Sequence, residues 1–311
     1  MKRILVLLLC CVILTSCTGK DTKHERTIFS MDTQIELAVY GSDGEKVLDK
    51  AEEEIKRINE KYSVVNLEKS ILAQDGETVA LIDAAEKIKK DTNGAFDINI
   101  APVMRIWGFY SEEFGKKNHR VPTQSEINEA LDAASEGMYF DFGGIAKGYC
   151  ADKLSWLLRS GGVESAVLSL GGNVALIGSK PDGTPWTVGI KSPFDDGLYA
   201  TVKVQDTMVV TSGDYVRYFE ENGKKYHHII NPATGYPAES DLTSVTIISN
   251  SGATADALST ALFVMGKDKA IEYWRNNGEF ELILITKDGT IHSTEGVDIQ
   301  TEHKIKKIKE Q

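Results

Sequence analysis

The sequence predicts an α+β protein built from mixed, mostly antiparallel sheets with flanking helices. Strand-like and helix-like segments follow one another without the βαβ rhythm of a parallel sheet. Residues 186–211 read as a meander of several short strands. Asp288-Gly289, between two apolar runs, is a hairpin signal.

In chain order, residues 27–40 alternate well enough for one strand with Met31-Asp32-Thr33 inside it. Residues 43–62 carry Val47, Leu48, Ala51, Ile55 and Ile58 in a helical stripe. A second helix is expected over 78–92, stopped by Asn93-Gly94. Residues 96–107 (FDINIAPVMRIW) begin as a strand that Pro102 breaks. Thr123-Gln124-Ser125-Glu126 is a capping box opening a helix to Ser135. Residues 139–152 (YFDFGGIAKGYCAD) read as a strand, a glycine pair and a helix start, with the helix running to Arg159. Strands follow at 166–170, 226–230 (ended by Asn231-Pro232), 242–248, 282–286 and 290–292. Helices are expected at 253–265 and 268–276. The lysine-rich stretch 301–311 reads as a frayed basic tail.

With 311 residues the chain can bury a substantial core. A net charge of −11 argues against a nucleic-acid partner, which needs a basic face. It also means that an anionic ligand must find local positive charge from a metal, a few lysines or helix N-termini. Residues 1–16 combine Lys2 and Arg3 with an apolar run at 4–14, the pattern of a signal peptide. Leu14-Thr15-Ser16-Cys17 resembles a bacterial lipoprotein cleavage site, which would make Cys17 the lipidated first residue. An ordinary signal peptide is the alternative. Residues 17–25 then read as a lipidated tether, and the protein as extracytoplasmic and membrane-anchored. Removing residues 1–16 takes Lys2 and Arg3 away and lowers the charge by two, to −13, so attachment must rely on lipid. Only Cys17 and Cys150 remain, so no disulfide framework exists, and Cys150 reads as a small buried residue.

Several residues can carry chemistry. Gly143-Gly144 followed by a helix start at Lys147 allows close backbone approach and favours an anion; a tight strand-to-helix turn is the alternative. Asp256 and Thr260 lie one turn apart on an otherwise apolar helix. Such an oxygen-only pair suits Mg2+, although Asp256 as a cap and Thr260 bonded to its own helix would look the same. His227 and His228 point to opposite faces of their strand, so at most one enters a site, where it can act as a base near neutral pH. Thr211-Ser212-Gly213-Asp214 and Gly171-Gly172-Asn173 suit phosphate or a turn. Trp107-Gly108-Phe109 can stack a ring or fill a core.

Taken together and in order, MDT, FDINIAPVMRIWGF, DFGGIAKGY, LGGN, TSGDY, HIINPATGYP and ADALSTALFVMG closely resemble the FAD:protein FMN transferase family, the ApbE-like flavin transferases. The similarity runs from residue 31 to residue 266, making residues 26–300 a flavin transferase domain. The resemblance implies an FAD and Mg2+ site between sheets and helices. Its metal ligands would be the Gly144 carbonyl, Asp256 and Thr260. FAD contacts would fall on Met31, Trp107, Gly108, Phe109, Asp141, Lys147 and Ile230. The histidine directly before the IINP run, His228, would be catalytic. The implied reaction moves FMN from FAD onto a threonine hydroxyl of an acceptor flavoprotein, a membrane-associated redox subunit, and releases AMP.

Two departures stand out. The family commonly has MGT where this chain has Met31-Asp32-Thr33, so Asp32 is expected to point away from bound phosphates. Residues 62–73 lack the family's serine- and glutamate-rich loop and its aromatic, which bears on one wall of the flavin pocket. Rival readings are an Mg2+-dependent FAD pyrophosphatase, with water in place of threonine, and a non-catalytic flavin-binding lipoprotein.

Overall fold

The computed structural model describes residues 22–62, 67–68, 75–109, 119–137 and 139–310. The signal peptide, Cys17 and nearly all of 62–73 lie outside them. The first hairpin pairs β1 (Lys23–Ser30) with β2 (Thr33–Tyr40), with Met31 and Asp32 as the two turn residues. Both have positive φ, 52° and 56°, the pairing of a tight hairpin turn whose twist matches the flanking strands. The single strand expected over 27–40 is therefore two. Lys23, His24 and Glu25 already belong to β1, so the segment read as a tether ends before them.

Alternation in β2 sorts its side chains: Ile35, Leu37 and Val39 are buried, while Gln34 and Glu36 are exposed. Strand β2 pairs with β5 (Ser165–Leu170), which turns through Gly171-Gly172 into β6 (Asn173–Ile177). Next come β9 (Met208–Gly213), β12 (Leu242–Ser249), β13 (Glu281–Thr286), β14 (Ile291–Thr294) and β16 (Ile305–Ile308). The order of this nine-stranded sheet is β1-β2-β5-β6-β9-β12-β13-β14-β16, antiparallel except for the β14–β16 pair. The tail expected to fray is thus an edge strand. Ile305 and Ile308 are the apolar residues that hold it there among lysines, and Ile308 is 4% exposed.

Helices cover one face of the sheet. They are α1 (Gly44–Tyr62), α2 (Gly76–Asp91), α5 (Ala146–Ser160), α6 (Gly252–Met265) and α7 (Lys267–Asn277). The predicted stripe of α1 is its buried face. Helix α6 is apolar nearly all round because it lies between α5 and strands β9 and β12. A small sheet covers the opposite face, ordered β15 (Asp298–Gln300), β8 (Leu198–Val204), β7 (Trp186–Lys191). Residues on β13 divide accordingly: Leu282 and Leu284 join the helical core, Ile283 and Ile285 the other.

A third cluster lies under α3 (Ala101–Trp107) and α4 (Gln124–Ser135). The strand expected from residue 96 does not form. Asp97 caps a 3-10 turn at Ile98–Ile100, and Pro102 sits in the first turn of α3, where its missing N–H costs nothing. The Thr123–Glu126 capping box forms as read. Two short pairs complete the fold: β3 (Leu67–Glu68) with β4 (Tyr139–Phe140), and β10 (Tyr218–Glu221) with β11 (Lys224–His227). Strand β11 stops at His227, short of the Ile230 expected.

Candidate functional site

The site forms where α5 crosses α6 beside the ends of β2, β5 and β9. The two helices cap one another. Asp256 of α6, 4% exposed, accepts from the N–H of Gly148 in the first turn of α5 at 2.9 Å. Asp152 of α5 accepts from the N–H groups of Gly252 and Ala253, the first residues of α6, at 2.7 and 2.9 Å. Each carboxylate therefore sits at a helix N-terminus, where unpaired N–H groups and the helix dipole favour negative charge. Burial pushes the Asp152 carboxyl up, and its two N–H donors pull it back. This contact needs glycine at both crossing positions. A Cβ on Gly148 would lie 2.0 Å from the Gly252 carbonyl oxygen.

Gly144 comes to the same place. A Cβ built there would lie 3.8 Å from Thr260 Oγ1. The Thr260 hydroxyl lies 3.4 Å from the Asp256 carbonyl and 3.3 Å from Ser212 Oγ of β9. Ser212 also bonds Ser259 at 2.7 Å. The groups brought to this helix crossing are the Asp256 carboxylate, the Thr260 hydroxyl and the Gly143-Gly144 backbone, whose potential ligand atoms are all hard oxygens. Among the described residues no group of three or more His, Cys, Asp or Glu side chains gathers. Such a set fits Mg2+, which is commonly held by one or two carboxylates plus substrate phosphate and water; softer or all-protein sites do not match it.

Lys147 donates from Nζ to the Gly143 carbonyl at 3.2 Å, and Asp141 Oδ1 accepts from the Gly143 N–H at 2.6 Å. Both side chains are thus held against the glycine turn. His228 follows β11. Its backbone N–H and its Nδ1 both meet the Arg217 carbonyl, at 3.0 and 3.2 Å. Burial pushes the His228 imidazole down to about 3, and the neighbouring Arg217, His227 and Lys147 push the same way. His228 is therefore a neutral base near neutral pH. His227 turns the other way: it is 7% exposed, lies 3.2 Å from the Ala238 carbonyl and packs edge-on to Phe263. Burial pushes it down to about 4.

Met31 occupies the hairpin turn, and its N–H donates to Asn59 at 3.0 Å. The Asp32 side chain is 69% exposed, as expected of a carboxylate kept from the site. Trp107 and Phe109 are only 1% and 2% exposed. Trp107 stacks on Phe109, packs near Phe219, Tyr226 and Tyr236, and donates from Nε1 to the Gly235 carbonyl. Their rings form a core cluster. Phe109 reaches the site through its edge-on contact with His228, centroids 6.4 Å apart. Gly108 caps α3 at φ 75°, and Ile230 is buried in the same cluster.

Sequence reasoning missed three residues. Asp152 closes the stretch 139–152, but nothing local shows that it caps a helix a hundred residues later. Arg217 carries no motif that would single it out in the sequence. Asn173 was noted only within a turn, yet it is 2% exposed and its Nδ2 has no partner among the described residues.

Oxygen ligands at a helix start, a lysine and a neutral histidine point to a class: a mixed α+β protein whose groups suit a phosphate-bearing ligand. The comparisons place it further. The ApbE family model matches residues 31–284, and the chain belongs to the ApbE family. It is 36% identical over 230 residues to a protein of Klebsiella pneumoniae named FAD:protein FMN transferase, covering 68% of this chain and 69% of the relative. It is 31% identical over 297 residues to one of the same name from Haemophilus influenzae, covering 88% and 81%. Among solved structures, the ApbE protein of Thermotoga maritima superposes with a TM-score of 0.79 at 34% identity, covering 88% of this chain and 97% of that one. The Pseudomonas stutzeri flavinyl transferase ApbE gives 0.75 at 26% identity, covering 88% and 95%.

Proposed function

We propose that this protein is an Mg2+-dependent FAD:protein FMN transferase that attaches FMN to a threonine hydroxyl of an acceptor protein and releases AMP. The observation that carries the reading is the convergence of Gly144, Asp256 and Thr260 with Lys147 at the N-terminus of α5, together with relatives named for this activity. Gly144, Asp256 and Thr260 would hold Mg2+, which when bound offsets the pyrophosphate charge. Lys147, in the first turn of α5, adds positive charge for the same phosphates. His228, neutral and held through Nδ1, accepts the proton of the threonine hydroxyl. As that oxygen bonds the FMN phosphorus, the P–O bond to AMP breaks and AMP leaves with the electron pair. Holding the two reactants in line supplies much of the rate.

The test is incubation of the protein with FAD, MgCl2 and an acceptor flavoprotein. Acid-stable flavin on the acceptor, with one AMP per flavin, is the expected result. Free FMN with an unlabelled acceptor would identify a pyrophosphatase, and FAD binding without AMP a carrier. The sequence pattern also supports lipidation at Cys17 and a place outside the cytoplasm, anchored to a membrane of the cell envelope. Replacing Cys17 with serine should move the protein from the membrane fraction to the soluble one.

A further inference from the structure

Arg217 joins three segments that are far apart in sequence. It precedes β10, and its carbonyl takes both the backbone N–H and the ring Nδ1 of His228. Its guanidinium crosses to the first hairpin, where Nη2 donates to the Asp32 carbonyl at 3.2 Å and Nη1 lies 3.9 Å from Asp32 Oδ2. Asp32 is held at φ 56°, a left-handed conformation that glycine adopts freely and aspartate less so. The Arg217 contacts offset that strain at the turn that also carries Met31.

The ring consequence follows from imidazole chemistry. A neutral histidine has one N–H and one lone pair in the ring plane, and the partner of one nitrogen decides which is which. A carbonyl can only accept. Nδ1 therefore carries the proton, and Nε2 is left as the nitrogen able to take one. The charged groups facing the ring are Arg217 from the β9–β10 connection and Lys147 from α5, with neutral His227 adjacent. Both cations oppose protonation of Nε2 in the resting site.

Resting on the transferase reading, we propose that Arg217 is a positioning residue: it clamps the Met31–Asp32 turn to the His228 segment and fixes the Nε2-basic tautomer of His228. The cofactor-contacting turn and the base then keep one relative position. Loss of the guanidinium frees the turn and loosens the carbonyl that orients the ring, while the protein's phosphate-binding groups stay in place.

The experiment compares wild type with Arg217→Met, Arg217→Lys and Asp32→Gly. It measures FAD affinity by flavin fluorescence, the single-turnover transfer rate against pH, and the ring 15N shifts of His228. Arg217→Met should keep FAD affinity within about threefold and slow transfer on the order of 10- to 100-fold, the loss expected for a misplaced base. Its acidic limb should move up by about one pH unit as a like charge is removed. Arg217→Lys should keep the acidic limb and recover part of the rate. Asp32→Gly, which leaves the carbonyl bond in place, should change the rate less than threefold. The 15N shifts should report Nδ1–H in wild type and a tautomer mixture in Arg217→Met. Wild-type rate and pH profile in Arg217→Met would overturn the proposal. So would a loss of FAD affinity at unchanged rate, which would make Arg217 a ligand contact, or an Nε2–H tautomer in wild type. The tautomer readout needs no turnover, so a failed transferase reading is distinguishable from a failed clamp.

Discussion

Gly148→Ala separates local propensity from tertiary contact with opposite signs. In an isolated helix the change stabilises by about 1 kcal/mol. In this fold the new Cβ would lie 2.0 Å from the Gly252 carbonyl oxygen and 2.7 Å from Asp256 Cβ. Ordinary contacts between such atoms are about 3.5 Å, so α5 and α6 must separate by roughly 1 Å or more. Overpacking of this kind costs about 1–3 kcal/mol. The separation also breaks or stretches the charge-assisted bond from Gly148 N–H to Asp256, a further ~1.5–3 kcal/mol. The tertiary cost exceeds the helical gain, leaving a net loss of about 2–4 kcal/mol, which thermal melting should show as a Tm lower by roughly 5–10 °C. The carboxylate moves with its helix, so transfer should fall on the order of 100-fold even well below the melting point. A Tm raised by a few degrees with full activity would refute the reasoning. It would mean that the crossing is plastic and that the glycine is there for no steric reason.

Other perturbations read other parts of the structure. Asp256→Ala should abolish transfer and its Mg2+ dependence while circular dichroism stays native; full retained activity would sink the metal assignment. Stability should decline as pH falls below 6.5, because unfolded histidine takes a proton near 6.5 while His227 and His228 resist protonation until about 4 and 3. Urea midpoints measured from pH 7.5 to 5 should show this slope, and His227→Gln should flatten it. Ile308→Asp should cost about 2–4 kcal/mol by denaturant titration, since it places a carboxylate at a 4% exposed position of β16; no change would restore the frayed tail. FAD association should slow as ionic strength drops toward 10 mM, where the Debye length of ~30 Å lets the whole acidic surface act. Stopped-flow rates rising instead would show that the local cations dominate at long range.

Much of the fold was legible because its signals are local. The α1 stripe, the Thr123–Glu126 capping box and the Asp256/Thr260 spacing each need only a few neighbouring residues. What failed needed distant partners or a rarer local rule. Asp32 hid the first turn because a left-handed aspartate is uncommon and the flanking residues alternate like one strand. Pro102 looked like a strand breaker, yet at a helix start it is favoured. Residues 305–308 carry only two apolar side chains, too little for a periodicity argument, and become a strand because β14 offers an open edge. Trp107 was ambiguous in sequence, and the answer came from Gly235, Phe219, Tyr226 and Tyr236, all more than a hundred residues later. The site was legible as a set of motifs, but their meeting point was not. Gly148 and Gly252 stand at helix starts, and nothing local in the sequence shows that the two helices touch through them.

The reciprocal capping bears on how an acidic chain could offer the proposed anion site. With a net charge of −11, the protein as a whole repels a pyrophosphate. At physiological salt the Debye length is about 8 Å, so charges beyond the site count for little and the first few groups decide. Two of those groups, Asp152 and Asp256, are themselves negative. Asp152 is spent on the α6 N-terminus, where two N–H donors already answer it. Asp256 is met by one N–H of α5, through Oδ2. The ammonium of Lys147 and the guanidinium of Arg217 are then the local positive groups, beside an imidazole that carries no charge. Removing Asp152 would leave two buried N–H groups without their acceptor and free α6 to shift along α5, taking Asp256 and Thr260 with it. On the proposed reading, the carboxylate spent on the α6 N-terminus is thus what holds the other one in place for the site.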